Sequence, residues 1–280
     1  MGGKKQLIKD GLLSWFPRDC KVYIEPFGGS FQVLLSKSWR EPYECINDLD
    51  SDLVHFYRTV KWDPKKLVSF INSVPKHEAI LIGLRQDLAR GSLSGVERAA
   101  AFFLVTRSSF NGIVDSGFAR YAHSVIAPME TEISLNDVMA VYNRLANVEI
   151  RSTDYRRLLS AACKKVDGGM FVYMDPPYDD TEGYSTLQGE STFGKHEHRQ
   201  LAEYCAQLDQ LGAKWMQTNS DTPFLRELYG AMRRPDGSPV VTMITREVYY
   251  SFSGVASKRR ATNEIIFGNF DFTKTERRLF

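Results

Sequence analysis

A chain of 280 residues has room for one large α/β domain, or for a catalytic domain carrying an insertion. Its 43% hydrophobic and 25% charged residues are those of an ordinary soluble globular protein. A net charge of +2 rules out bulk charge as the basis of nucleic-acid binding, so any such footprint must come from local clusters of Lys and Arg. Cys20, Cys45, Cys163 and Cys205 are widely spaced, without a C-x-x-C pair, so no disulfide framework and no structural metal is expected. The start, Met1-Gly2-Gly3-Lys4, lacks the apolar core of a signal peptide, and no stretch approaches the roughly 20 apolar residues of a membrane span. The expected location is the cytoplasm.

Short apolar runs alternate with helical patterns. Val22–Phe27 reads as a strand, followed by Gly28-Gly29-Ser30 and a helical stretch from Phe31 to Trp39. Tyr43–Ile46 is a second strand, ending on Asn47-Asp48. Residues 55–140 read as a helical insertion, with helices over Pro64–Ile71, Ala79–Leu88 and Val96–Val105 and a Gly- and Ser-containing loop over Ser108–Ala127. Val148–Ser152, Phe171–Met174 and Lys214–Gln217 are further strands, and Val240–Phe252 with Asn263–Phe267 suggests a terminal antiparallel hairpin. Strands alternating with helices argue a parallel sheet with right-handed crossovers. The expected fold is therefore α/β: a Rossmann-like sheet of seven strands, mostly parallel with a terminal antiparallel hairpin, formed by 1–54 and 141–280, plus the helical insert.

The strongest chemical signal is Asp175-Pro176-Pro177-Tyr178, directly after the strand Phe171–Met174. In open α/β sheets ligands bind at the carboxyl ends of strands. Two prolines fix φ twice and remove two backbone donors, leaving a rigid corner whose carbonyls only accept. Asp175 adds a carboxylate and Tyr178 a flat aromatic face. Such a corner suits a planar group bearing an NH2, whose protons the carboxylate and a main-chain carbonyl accept while the ring stacks on tyrosine. An amino nitrogen conjugated to a ring is a poor nucleophile. Two fixed acceptors favour its tetrahedral form and stabilise the positive charge that develops as it attacks a sulfonium methyl; one such hydrogen bond is typically worth ~2–4 kcal/mol of barrier.

Glu25-Pro26-Phe27-Gly28-Gly29-Ser30 is a second strand-to-turn signal, in which glycines let the backbone approach a ligand; alone it is also an ordinary tight turn. Asp48 lies about 20 residues on, where a carboxylate often grips a ribose. It serves equally as the N-cap of a helix starting near Leu49. Asp154-Tyr155 either holds the amino group of a cofactor adenine or caps a helix.

Taken together and in order, Gly2-Gly3-Lys4, Glu25-Pro26-Phe27-Gly28-Gly29, Asn47-Asp48, Phe110-Asn111-Gly112, Asp175-Pro176-Pro177-Tyr178 and Thr218-Asn219-Ser220-Asp221-Thr222 resemble the Dam-type DNA adenine-N6 methyltransferases, class D12. The resemblance covers nearly the whole chain. It implies methyl transfer from S-adenosylmethionine to the N6 amino group of adenine in double-stranded DNA, with base flipping. It places Lys4 at the cofactor's methionine carboxylate, Phe27, Gly28 and Gly29 along the cofactor pocket, Asp48 on the ribose, and Asp154 on the cofactor adenine. Asp175, Pro176, Pro177 and Tyr178 would handle the target base, with Asp175 also beside the cofactor, and Tyr249, Tyr250 or Phe252 would supply a second aromatic face. The insert 55–140 would read the target. Arg107, Asn111, Arg120, Lys258 and Arg259 are the expected DNA contacts, and Phe110 or Tyr121 the wedge that fills the gap left by the flipped base. A restriction endonuclease is a candidate partner. Two departures stand out. No aromatic residue precedes Gly2-Gly3-Lys4, and Asp115 stands where members that read GATC carry an arginine; Arg120 is a substitute from a longer loop. A cytosine-specific enzyme more often has Ser at the position of Asp175, and an RNA or protein-glutamine enzyme Asn. A binding protein without turnover is opposed by the intact Asp175, Tyr178, Gly28 and Asp48.

Overall fold

The computed structural model describes residues 4–75, 77–108, 132–165, 169–179, 193–248 and 262–273, and the backbone alone of 184–186, 189–191, 249–251 and 259–261. The strands are β1 (Val22–Glu25), β2 (Tyr43–Asn47), β3 (Val148–Arg151), β4 (Met170–Met174), β5 (Tyr184–Thr186), β6 (Gly189–Ser191), β7 (Lys214–Ser220), β8 (Thr242–Ser251) and β9 (Arg259–Gly268). The helices are α1 (Lys5–Lys9), α2 (Gln32–Ser36), α3 (Ser51–Trp62), α4 (Pro64–Ser73), α5 (Glu78–Arg90), α6 (Gly95–Ser108), α7 (Leu135–Leu145), α8 (Tyr155–Cys163), α9 (Lys195–Gln210) and α10 (Pro223–Gly230). Seven strands form one sheet in the order β3-β2-β1-β4-β7-β9-β8. β1 is parallel to β2 and β4, β4 is parallel to β7, and β9 runs antiparallel to both β7 and β8. The expected α/β sheet, mostly parallel with a terminal antiparallel hairpin, is present.

By internal contacts the chain divides into two compact units. Gly2–Leu49, Thr153–Tyr184 and Thr192–Phe280 make up the first, and Asp50–Ser152 with Ser185–Ser191 the second.

In the first unit both faces of the central strands are covered, so β4 reads as the unbroken apolar run Met-Phe-Val-Tyr-Met, buried at every position. Alternation along the strand divides its side chains between two layers. Met170, Val172 and Met174 join Ile24, Trp215 and Phe267 against Leu158, Leu201, Leu225 and Tyr229. On the other face Phe171 and Tyr173 meet Phe16 at ring separations of 4.9 and 5.1 Å, and Tyr23 lies 5.8 Å from Phe171. Each such large side chain contributes about 1.5–3 kcal/mol through burial. The chain passes from β1 to β2 on one side, then returns to place β4 on the other. That reversal opens a crevice at the carboxyl ends of β1 and β4.

Three expected boundaries are corrected. The helix predicted over Phe31–Trp39 is only α2, because Phe31 adopts φ +54° and Lys37 is already extended. Lys37 is buried; its ammonium pairs with Glu41 and, at 3.1 Å, Glu44, and sits 3.5 Å from the Tyr23 ring centroid. Those partners draw the chain out of the helix. β7 runs on through Thr218-Asn219-Ser220, and β9 begins four residues earlier than the pattern suggested.

Among the described residues the second unit is helical apart from its strand segments, with α6 packed on α3, α4 and α5. The run Ala99-Ala100-Ala101 gives that helix a thin profile, so Ala99, Ala100 and Leu104 pack with Val60, Leu67, Ile71 and Leu81. Asp50 caps α3, its carboxylate accepting from the amides of Asp52 and Leu53 at 2.9 and 3.1 Å. Arg58 and Lys61 on α3 donate to the β3 carbonyls of Ile150 and Val148, each at 2.7 Å.

Candidate active site

The site builds from the ends of β1, β2 and β4. After β1, the Gly28 amide donates to the Asn47 carbonyl at 2.7 Å, and the Gly29 amide to Asp48 Oδ2 at 2.7 Å. Asn47 is buried, and its side chain ties three loops together: Nδ2 donates to the carbonyls of Pro26 and Thr153, both at 2.9 Å, and Oδ1 accepts from the Thr153 amide at 3.0 Å. Gly28 has a packing reason to be small. A Cβ there would lie 2.2 Å from the buried Phe31 ring and 3.0 Å from the Asn47 carbonyl. Gly29 differs: at φ +50°, a Cβ would meet nothing within 4 Å, so its face is open.

Asp48 is not a helix cap; Asp50 has that role, and the Asp48 carboxylate instead closes the glycine turn. Asp154 does cap α8, with Oδ1 accepting from the Arg156 amide and Oδ2 from the Arg156 guanidinium, both at 2.8 Å. Phe27 packs on Tyr155 at 5.0 Å and edge-on to Phe193 at 5.6 Å. Burial pushes the Tyr155 hydroxyl up to about 12, so it stays protonated.

Register explains the β4 side of the site. Met174 pairs with Gln217, so Asp175 and Thr218 are the next residues on adjacent parallel strands, and Thr218 Oγ1 donates to Asp175 Oδ1 at 3.1 Å. The Tyr173 hydroxyl lies 2.9 Å from the same Thr218 oxygen. Lys4 Nζ sits 3.0 Å from Asp175 Oδ1 and 3.1 Å from Glu264 Oε2, hydrogen-bonds the Tyr178 hydroxyl, and lies 4.5 Å from the centre of the Tyr178 ring. One buried ammonium thus faces two carboxylates and an aromatic face. Burial raises the Asp175 pKa above the usual carboxylate range; the Glu264 charge adds to that rise, while Lys4 and Thr218 oppose it. Pro177 is held from behind, its carbonyl accepting from Asn219 Nδ2 at 3.4 Å.

Lys4, Phe27, Gly28, Gly29, Asp48, Asp154 and Asp175–Tyr178 all belong to the first unit. Arg107 lies in the second, exposed in the last turn of α6. Phe110, Asn111, Asp115, Arg120, Tyr121, Phe252 and Lys258 lie outside the described residues, and Tyr249, Tyr250 and Arg259 are described by backbone alone. Sequence reasoning missed Glu264. Its signal is a lone carboxylate in the strand run Asn263-Glu264-Ile265-Ile266-Phe267, where a buried charge needs a partner.

The Asp175–Tyr178 corner and the glycine turn end adjacent parallel strands, β4 and β1. The family model for D12 class N6 adenine-specific DNA methyltransferases matches residues 1–243. The chain belongs to this family. Relatives of the D12 methyltransferase include the type II methyltransferase M1.LlaDCHI of Lactococcus lactis subsp. cremoris, 28% identical, with 81% of this chain and 82% of that protein covered. The DNA N-6-adenine-methyltransferase of Escherichia phage P1 is 27% identical over 81% of this chain but only 30% of its own length. The type II methyltransferase M.MjaIII of Methanocaldococcus jannaschii is 26% identical, covering 81% and 85%. The D12 methyltransferase is accordingly an enzyme that methylates the N6 amino group of adenine in DNA, with S-adenosylmethionine as methyl donor. The donor fits the residues present. The Asp48 carboxylate suits sugar hydroxyls, and the open Gly29 backbone leaves room for close approach. Among the described residues no helix is long and apolar enough to cross a membrane, and no group of three His, Cys, Asp or Glu could hold a metal ion.

Proposed function

We propose that the enzyme acts at specific sites in double-stranded DNA and flips the target adenine into the corner formed by Asp175, Pro176, Pro177 and Tyr178. What supports this is one observation: Asp175 and the Gly29–Asp48 pair stand at the same ends of sheet neighbours, where methyl donor and amino acceptor must meet. Asp175 and the Pro176 carbonyl accept the two N6 protons while Tyr178 stacks on the base. Phe27, Gly28 and Gly29 line the donor's pocket, Asp48 holds its ribose, and Asp154 its adenine. Bound S-adenosylmethionine supplies an electrophilic sulfonium methyl. Asp175 stabilises the charge that develops on the amino nitrogen, and needs no great basicity because proton loss follows transfer. Residues 55–140 carry target recognition, with Phe110 or Tyr121 as wedge and Arg107, Asn111, Arg120, Lys258 and Arg259 on the DNA. The type II relatives make a companion endonuclease the partner to look for.

The test is transfer of labelled methyl to duplex oligonucleotides of random sequence, followed by nucleoside analysis and sequencing. A second duplex carries 2-aminopurine at the target position. Label in N6-methyladenine at one sequence context, with a fluorescence rise on binding, is the expected result. Label without a rise would remove base flipping; label scattered over all contexts would remove site specificity.

Lys4 gives this site a pH signature. A carboxyl held above its ordinary range protonates sooner as the medium is acidified, and a protonated Asp175 has lost an acceptor. The rate therefore falls as pH drops through that raised pKa. Lys4→Met removes the strongest influence holding the pKa down, so the acid limb of its single-turnover rate profile is expected at higher pH than wild type. An unmoved limb would separate Lys4 from the Asp175 charge.

A further inference from the structure

His198, in the first turn of α9, is fully buried, yet among the described residues neither ring nitrogen makes a hydrogen bond of good geometry, although the Pro177 carbonyl is near enough to draw on the ring proton. Interiors rarely leave such a group unpaired without a reason. The ring stands edge-on to Phe193 at 4.9 Å and to Phe224 at 6.3 Å. The polar groups facing it are the Pro177 carbonyl, the Asp179 carboxylate and its own neighbour Glu197; they favour a proton on the ring, but burial outweighs them and keeps it neutral. A neutral imidazole has one N–H to donate.

The back of the Pro177–Asp179 segment is otherwise gripped by β7 and the start of α10. Asn219 Nδ2 reaches the Pro177 carbonyl, Asn219 Oδ1 accepts from the Asp179 amide at 3.1 Å, and Thr222 Oγ1 donates to Asp179 Oδ2 at 2.8 Å. Tyr178 lies between these two anchors. The Asn219 bond to Pro177 is long, at 3.4 Å, and a carbonyl has a second lone pair.

We propose that His198 is a positioning residue for Tyr178: its ring N–H takes the free lone pair of the Pro177 carbonyl when the target base is stacked, fixing the peptide that carries the tyrosine. The inference rests on the stacking role proposed for Tyr178. Small misplacement of a reacting group is costly, about 100-fold in rate for ~1 Å, so the loss should fall on the chemical step more than on binding.

His198→Phe fills the aromatic niche without a donor, and His198→Gln restores one. We expect His198→Phe to melt near wild type and keep its KM for cofactor and DNA, with the single-turnover rate down about 10- to 100-fold. His198→Gln should recover most of that loss. A His198→Phe enzyme as fast as wild type, or a His198→Gln enzyme as slow as His198→Phe, would overturn the proposal. An independent measurement needs no substitution. With nitrogen-15 histidine in the full chain, the His198 ring N–H resonance should move downfield to a hydrogen-bonded position on forming the complex with duplex DNA and S-adenosylhomocysteine, and an unmoved resonance would overturn it as well. If Asp175→Ala or Tyr178→Ala proves fully active, the stacking reading itself has failed. If those are inactive and the His198 arms are negative, only the present inference has.

Discussion

Replacing Asp175 with alanine is expected to slow single-turnover methyl transfer about 100- to 1,000-fold, the effect typical of removing one preorganised hydrogen-bond partner from a developing charge. The variant should still fold, since Asp175 sits beyond the last buried residue of β4 rather than in the core. Binding of S-adenosylmethionine, followed by calorimetry, should change far less than the rate. Two local consequences sharpen the expectation. Thr218 loses the acceptor of its 3.1 Å bond but keeps the Tyr173 hydroxyl, and Lys4 keeps Glu264, so no buried charge is left alone. A rate within a few-fold of wild type would mean that the amino group is activated elsewhere. A rate loss matched by an equal loss of cofactor affinity would make Asp175 a cofactor ligand first.

Gly28→Ala should be strongly damaging to both stability and cofactor binding. The added Cβ would meet the Phe31 ring at 2.2 Å and the Asn47 carbonyl at 3.0 Å. Phe31 cannot retreat easily: it is fully buried and already held at φ +54°. Overpacking of this kind costs about 1–3 kcal/mol. Relief by moving the turn would break the Gly28–Asn47 and Gly29–Asp48 bonds that shape the pocket. Thermal melting should therefore fall, and cofactor binding should weaken beyond detection at ordinary concentrations. Gly29→Ala is the internal comparison. It meets open space and suffers only the left-handed backbone, about 1–2 kcal/mol. Gly29→Ala proving worse for stability than Gly28→Ala would show that the turn reshapes around the alanine.

The two motifs are legible in the sequence because both are local. A buried parallel strand must be an unbroken apolar run, and the turn at its end is set by glycine or proline within a few residues. Segments governed by distant partners are harder to read. The helix expected over Phe31–Trp39 is too long because nothing near Lys37 in sequence marks its ammonium as buried against the Tyr23 ring. Asp48 and Asp50 are both plausible caps; which of them caps depends on where α3 begins, and Asp48 is diverted by a glycine amide 19 residues back. Glu264 escapes notice for the same reason: its partner is at the other end of the chain. His198 looks like any histidine on an amphipathic helix until its surroundings are known.

The pairing of Lys4 with Glu264 joins residues 260 positions apart. During synthesis Lys4 and Asp175 emerge well before Glu264, so this second pairing of the ammonium forms late. Until β9 docks on β7, Asp175 faces that lysine without the Glu264 carboxylate. The trio of charges is thus completed in one step with the docking of β9 on the sheet. A chain cut before Glu264, even one carrying both sequence motifs, would leave the Lys4–Asp175 pair without that second carboxylate.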